Sequence, residues 1–230
     1  RNIPLRVGSN SGSLRPPYQK QKTIVAALVK QTHDYIKMLE DYGVENIVIS
    51  LKSSSIFQTI DAYRKMSVLS SYPLHVGVTA TGLLRDGIIK SSIGMGILLA
   101  EGIGDTIRVS LLGDSQDEVA VAKNILSALS IRQFGPEYIC CPTCGRCEVD
   151  LKRKVGELSQ KLTTMNHKDM SRFTIAVMGC MVNGPGEAQH ADVGVAFGRS
   201  KGLLFKKGRV IDTLAQNRCI DRLIKELKSL

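Results

Sequence analysis

The 230-residue sequence lacks the features that mark several common classes of protein. It has no run of about 18 apolar residues, so a transmembrane helix is not expected. Aromatic residues are only 5% of the chain, and no dense Lys/Arg tract is interleaved with them, which argues against nucleic-acid binding. The cysteines are clustered, which argues against a disulfide framework. We therefore predict no membrane and no nucleic-acid partner.

A secretory signal and an initiator Met are also missing from the first residues, which enter directly into a strand pattern. We therefore expect a fragment of a longer protein. Without such a signal, six clustered cysteines predict a reducing, cytoplasmic compartment and metal or redox use. Acidic residues are few, 21 against 31 Lys and Arg. The net charge of +10 suits solubility, an anionic substrate or an acidic protein partner.

The first 135 residues alternate apolar strand patterns with helical patterns. The patterns predict strands at 3–8, 46–51, 74–79 and 106–111, and helices at 23–42, 55–69, 88–100 and 115–129. Such continuous apolar runs are typical of parallel strands covered by helices. Four βα units fit either half of a (β/α)8 barrel or an open doubly wound sheet. Asn10, Lys52, Thr79 and Ser110 follow successive strands, where ligands bind in both folds.

From Gly135-Pro136 onward the sequence predicts a second, smaller α/β domain. A helix is predicted at 148–162, and strands at 173–178, 192–197 and 203–211. Lys207-Gly208 is predicted to be a turn within the last of these strands, and a closing helix is predicted at 214–227.

Two separated thiol motifs carry the chemistry. Cys-Cys-Pro-Thr-Cys-Gly-Arg starts at Cys140 and supplies Cys141 and Cys144 three residues apart. Gly-Cys-Met-Val-Asn-Gly-Pro-Gly-Glu supplies Cys180 and, seven residues later, Glu187. Three thiolates and one carboxylate predict an iron–sulfur centre with one oxygen ligand. An oxygen ligand is weaker and easier to displace, which suits reductive chemistry on an oxygenated substrate.

Other interpretations of the cysteines remain open. Cys180 alone could be a buried small hydrophobe, and the four cysteines at 140–147 could form a zinc knot. Against zinc, those four lie within eight residues, too close for two opposed knuckles. We expect Cys140 to pack and Cys219 to lie in the core, while Cys147 is either a spare cysteine or a zinc artefact. His75 is expected to be a hydrogen-bonded core histidine.

With these motifs, the chain resembles the (E)-4-hydroxy-3-methylbut-2-enyl diphosphate synthase family of the methylerythritol phosphate pathway. The match includes Ile-Pro-Leu-Arg-Val-Gly-Ser-Asn-Ser-Gly-Ser-Leu from Ile3, Lys-Ser-Ser-Ile-Gly-Met-Gly from Lys90 and Glu-Gly-Ile-Gly-Asp-Thr-Ile-Arg-Val-Ser-Leu from Glu101. It extends over essentially the whole chain, and several ordered motifs of this length make chance similarity improbable.

The resemblance implies an α/β fold: part of a (β/α)8 barrel over residues 1–135, then a [4Fe-4S] cluster domain over residues 136–230. It implies cluster ligation by Cys141, Cys144, Cys180 and Glu187, and reductive ring opening of 2-C-methyl-D-erythritol 2,4-cyclodiphosphate in isoprenoid biosynthesis. Ferredoxin or flavodoxin would donate two electrons to a homodimer. Residues that match the family's substrate positions are Arg6, Asn10, Lys52, Arg108 and Ser110.

Two departures from the family pattern are visible. Ala80 stands where the family carries an acid expected to handle a substrate proton, and losing such a group commonly costs about 10²–10⁴ in rate. Only four βα units are present, so a truncated barrel with open sheet edges is expected. An alternative is therefore a catalytically impaired, cluster-binding homologue that acts in electron transfer or binding. A third hypothesis is a basic zinc module that contacts nucleic acid.

Overall fold

The computed structural model describes residues 3–79, 81–163, 170 and 173–230. The chain divides into two compact units, Arg1–Arg132 and Gln133–Leu230, and each contains both helices and strands. The predicted α/β class is therefore confirmed. Within the described residues, no helix combines the length and apolarity needed to cross a bilayer.

The described residues of the first unit contain four parallel strands. They are β1 (Leu5–Asn10), β2 (Ile47–Lys52), β3 (His75–Val76) and β4 (Thr106–Ile107). β1 pairs with β2 and β3 with β4, while a parallel bridge between Ile49 and Leu74 joins the two pairs. The strand order is thus the sequence order. The strands predicted at 74–79 and 106–111 pair over two residues each, although the Arg108 amide still donates to the Val76 carbonyl at 2.9 Å.

Helices follow the strands in the predicted alternation. They are α1 (Pro16–Gln19), α2 (Ile24–Asp41), α3 (Ile56–Leu69), α4 (Leu84–Ala100) and α5 (Ser115–Ala128). The Thr23 hydroxyl caps α2 by accepting from the Ala26 amide at 3.1 Å. The sequence pattern at 115–118 predicts a capping box, which is wrong. Asp114 is the N-cap residue, and the Glu118 carboxylate accepts from the Leu111 amide at 2.9 Å.

The core of the first unit lies between the helices and the strands. Apolar side chains from β2, α3 and α4 are fully enclosed there, including those of Leu51, Tyr63 and Leu98. The Tyr63 hydroxyl donates to the His75 carbonyl at 2.5 Å and accepts from the Leu51 amide at 3.0 Å. Burying this ring satisfies its polar end and ties β2 to β3.

A five-stranded mixed sheet forms the second unit. Its strands, in spatial order, are β5 (Glu137–Cys140), β6 (Thr174–Met178), β7 (Val193–Phe197), β8 (Lys201–Lys206) and β9 (Arg209–Ala215). The first three are parallel and the last two antiparallel. Lys207 and Gly208 both have positive φ, 47° and 74°, as a two-residue type I′ hairpin requires. The predicted turn is confirmed.

The described residues of the second unit also contain the helices α6 (Leu151–Thr163), α7 (Gly184–Glu187) and α8 (Cys219–Leu227). α6 and α8 cover one face of the sheet, and α8 buries Cys219, Ile220, Leu223 and Leu227 as a stripe. The helix predicted to begin at residue 214 therefore begins at Cys219, five residues later. Residues up to Ala215 instead pair with β8.

Candidate functional site

Basic side chains from neighbouring strands share one face of the first unit's sheet. Registered residues of parallel strands point to the same side, and side chains alternate along each strand. Asn10 pairs with Lys52, and His75 pairs with Thr106, two residues before Arg108. Arg6 and Asn10 have the same parity on β1. The fold therefore collects Arg6, Asn10, Lys52, His75 and Arg108 on one face, which we call the cationic face.

Lys52 is the most buried cation of this face, with only 6% of its surface exposed. Burial lowers the pKa of Lys52 from 10.5 to about 8, and the positive charges of Arg108 and Arg6 add to the effect. None of the ion pairs between described residues involves these three cations. Positive charge without a carboxylate partner favours an anionic ligand at this face.

His75 joins the cationic face as a neutral acceptor. Its Nε2 lies 3.1 Å from an Arg6 guanidinium nitrogen, and its Nδ1 lies 2.8 Å from the Thr106 hydroxyl. Because guanidinium only donates, Nε2 must accept and Nδ1 must carry the proton. Burial lowers the pKa of His75 to about 4, with further lowering by Lys52, Arg6 and Arg108. His75 is buried, as predicted from the sequence, but it also orients a cation.

Replacing His75 with Phe is expected to weaken inorganic pyrophosphate binding about fivefold, because Arg6 loses the acceptor that orients it. His75→Gln keeps an acceptor near Nε2 and should bind within about twofold of wild type. Isothermal titration calorimetry at pH 7 measures both affinities, and thermal unfolding shows whether the variants remain folded. Equal affinity of folded His75→Phe and wild type would contradict this role.

The remaining predicted substrate residues occupy the ends of the strands. Asn10 ends β1 and is exposed, beside Lys52 in the register. Ser110 follows β4 and is half-buried, and its backbone carbonyl accepts from the Thr81 hydroxyl at 2.6 Å. Both residues lie beyond the buried part of their strands, where the side chains are open to a ligand.

The second unit brings two thiols together at the end of β6. The Gly179 amide donates to the Cys141 sulfur at 3.2 Å. A Cβ added to Gly179 would lie 2.5 Å from the Cys147 sulfur and 3.4 Å from the Cys141 sulfur. Only glycine leaves room for both sulfurs here. Amide donors of this kind stabilise a thiolate, and Cys180 is the next residue in the chain.

The four predicted ligands are not equally placed. Cys141 and Cys180 are half-buried, whereas Cys144 is exposed on the loop after β5 and Glu187 is exposed at the end of α7. As the side chains stand, no three Cys, His, Asp or Glu residues of the described segments form a ready-made metal site. The donor types suit a soft metal centre. The hydrogen bond from the Gly179 amide to the Cys141 sulfur supports that fit.

Two contacts in these sites are not predicted from the sequence. The sequence pattern predicts only a core position for His75, because nothing near it in sequence indicates a contact with Arg6. The place of Cys147 beside Gly179 is also unpredicted, although Cys147 repeats the three-residue spacing of Cys141 and Cys144. The expectation that Cys140 packs is wrong, because its side chain is exposed at the end of β5, whereas Cys219 is fully buried in α8 as predicted.

Comparison with known proteins identifies the family. Residues 1–123 match the GcpE TIM-barrel domain, and residues 137–229 match the GcpE protein C-terminal domain. The chain belongs to the GcpE family. The resemblance expected from the motifs is therefore confirmed for both parts of the chain.

Three curated relatives carry the same enzyme name. The chain is 47% identical over 232 residues to "4-hydroxy-3-methylbut-2-en-1-yl diphosphate synthase (flavodoxin)" of Clostridium acetobutylicum, and 44% identical over 232 residues to the protein of that name from Geobacter sulfurreducens. Each alignment covers 100% of the chain and 65% of the relative. A Fusobacterium nucleatum protein of the same name is 46% identical over 98% of the chain and 63% of its own length. The chain thus spans just under two thirds of the length of these curated relatives.

Proposed function

We propose that this GcpE-family protein converts 2-C-methyl-D-erythritol 2,4-cyclodiphosphate to (E)-4-hydroxy-3-methylbut-2-enyl diphosphate in isoprenoid biosynthesis. The reaction opens the ring reductively and dehydrates the product, so it consumes two electrons and two protons and releases water. The observation that carries the proposal is the cationic face, where no ion pair between described residues gives Arg6, Lys52 or Arg108 a carboxylate partner. A cyclic diphosphate needs such a surface, and the names of the curated relatives agree with it.

The substrate would bind through its diphosphate and hydroxyl groups. Arg6 and Arg108 would donate charge-assisted hydrogen bonds to phosphate oxygens, and Lys52 would act as a compact charge between them. Asn10 and Ser110, at the open ends of β1 and β4, would hydrogen-bond the hydroxyl groups. His75 accepts a hydrogen bond from Arg6 and remains neutral, so it does not change the net charge of the cationic face.

Cys141, Cys144, Cys180 and Glu187 would hold a [4Fe-4S] cluster in the second unit. When bound, the cluster would supply the electrons for the reduction. Thiolate sulfur is the ligand type that iron–sulfur clusters prefer, and the Gly179 amide already donates to the Cys141 sulfur. Glu187 is the weaker, harder ligand of the set. We assign it the catalytic position because a substrate oxygen can compete with a carboxylate more easily than with a thiolate.

The architecture and partners belong to the same proposal. Residues 1–135 would be the C-terminal half of a (β/α)8 barrel, and residues 136–230 the cluster domain. The parallel strand order of the first unit and its family match support the barrel. The printed name of the relatives supports flavodoxin as electron donor, with ferredoxin as the other candidate. We further propose a cytoplasmic homodimer.

The impaired, cluster-binding homologue is the weaker proposal. It depends on Ala80, which lies outside the described residues. Curated relatives that align with the whole chain carry the name of an active synthase, and nothing in the comparisons supports a loss of activity.

Anaerobic turnover tests the proposed function. The purified protein, with its iron and sulfide content measured, is incubated with the cyclodiphosphate and chemically reduced flavodoxin. Formation of the linear enyl diphosphate is followed by mass spectrometry, with Cys180→Ala as the matched control. Product from wild type alone supports the proposal. A cluster-loaded protein that binds the cyclodiphosphate without consuming it would favour the electron-transfer or binding homologue.

Diphosphate binding should depend on the charge of Lys52. Its pKa of about 8 means that Lys52 is protonated at pH 7 and loses its charge as the pH rises through 8. The affinity ratio of wild type to Lys52→Met for inorganic pyrophosphate should therefore be constant below pH 7 and fall about tenfold per pH unit well above pH 8. The ligand's own ionisation cancels in this ratio. A ratio that stays constant from pH 7 to 10 would show that Lys52 is not the titrating group.

A further inference from the structure

Cys147 lies at the same place in the second unit as the proposed cluster ligands. Its sulfur is 2.5 Å from the Cβ position of Gly179, closer than the Cys141 sulfur at 3.4 Å. Two thiols from opposite ends of one loop are thus neighbours beside the residue that precedes Cys180. This position beside the proposed ligands indicates a role for Cys147 at the metal centre.

Backbone contacts hold Cys147 there. Its amide donates to the Cys144 carbonyl at 2.9 Å, closing a turn between the two cysteines. The amide of the next residue, Glu148, donates to the Gly179 carbonyl at 3.0 Å. The Cys147 thiol donates to the Val149 carbonyl at 3.2 Å. The chain is therefore attached to the end of β6 directly beside Cys147.

Cys144 contrasts with Cys147 in exposure. Cys144 is exposed and Cys147 half-buried, although both follow Cys141 at three-residue intervals in Cys-Pro-Thr-Cys-Gly-Arg-Cys. The turn that joins them places both thiols on one short segment, next to the Cys141 sulfur and Gly179. Thiolate ligands of the same segment compete for a metal according to which sulfur is nearer.

We infer that Cys147 is an additional thiolate ligand of the metal centre, able to occupy the position assigned to Cys144. This inference rests on the proposed function, in which Cys141, Cys144, Cys180 and Glu187 hold a cluster. It adds a fifth donor to that set. Because Gly179 has no Cβ, it leaves room for the Cys147 sulfur, which is the fifth donor.

The test compares cluster loading in variants that lack Cys144. After anaerobic reconstitution, Cys144→Ala should retain at least about half of the wild-type iron and sulfide, with an altered electron paramagnetic resonance spectrum in the reduced state. Cys144→Ala/Cys147→Ser should lose at least about tenfold in both. The matched control, Cys144→Ala/Cys140→Ser, removes a different neighbouring thiol and should load like Cys144→Ala. Circular dichroism establishes that each variant is folded.

A second double variant leaves Cys147 itself in place. Gly179→Ala introduces a methyl group against the Cys147 sulfur, so Cys144→Ala/Gly179→Ala should lose the cluster as the double cysteine variant does. The inference is overturned if Cys144→Ala is as empty as Cys144→Ala/Cys147→Ser, or if the Cys140 control is equally empty. It is also overturned if Cys147→Ser alone loses the cluster, because Cys147 would then be a primary ligand. Wild type without iron and sulfide would instead refute the proposed function.

Discussion

Replacing Cys180 with alanine is expected to empty the metal centre, from about four irons and four sulfides per chain to less than about one of each. Cys180 lies two residues beyond β6 and is the one proposed thiolate ligand outside the loop after β5, so we expect no thiol of that loop to replace it. Iron, acid-labile sulfide and zinc are measured after strictly anaerobic purification, with wild type beside the variant.

A fully buried cysteine of the second unit provides the control. Cys219 is fully enclosed in α8, where its thiol donates to the Ala215 carbonyl at 3.4 Å. Cys219→Ala should keep the wild-type iron and sulfide and lose only about 1 kcal/mol of unfolding free energy through lost packing. Zinc without sulfide in wild type, unchanged in Cys180→Ala, would contradict the cluster and favour a structural zinc site.

Replacing Lys52 with methionine is expected to weaken pyrophosphate binding about 100-fold at pH 7. The side chain is nearly isosteric, so the core should be unaffected, but the anion loses a charge-assisted bond from a cation that is only 6% exposed. Isothermal titration calorimetry with inorganic pyrophosphate measures the loss. Turnover of the cyclodiphosphate should fall at least as much.

Two matched lysine variants define the result. Lys30 is an exposed lysine of the same unit, paired with Asp34 four residues along α2, and Lys30→Met should leave binding unchanged. Lys52→Arg keeps the charge in a larger group and should recover part of the affinity. If Lys52→Met and Lys30→Met bind equally well, Lys52 is a buried structural lysine and the cationic face binds its ligand elsewhere.

The two predictions concern different units of the chain, so we expect cluster loading and pyrophosphate binding to change independently. A cluster lost in Cys180→Ala with unchanged pyrophosphate binding in that variant would show that the first unit binds its anion by itself. Loss of both in one variant would indicate that the two units depend on each other in solution. The Cys180 and Lys52 variants should therefore be measured by both assays.

Helix positions in the first unit could be predicted closely from local pattern. The predicted helix at 23–42 is observed at Ile24–Asp41, because its apolar period and its Thr23 cap both lie in nearby sequence. The helix predicted at 214–227 is wrong at its beginning, because β9 pairs with β8 up to Ala215. Pairing across a hairpin depends on another strand, and helical periodicity carries no information about it.

The sequence by itself determined the family and the α/β class, and it predicted the types of ligand at both sites, because ordered motifs and residue spacing are properties of the chain alone. Tertiary structure decided that His75 holds Arg6 and that Cys147 lies beside Cys141 at Gly179. Arg6 and His75 are 69 residues apart, and Cys141 and Gly179 are 38 apart. Only the pairing of parallel strands brings such residues within bonding distance, since register and side-chain direction are set between strands rather than along one of them.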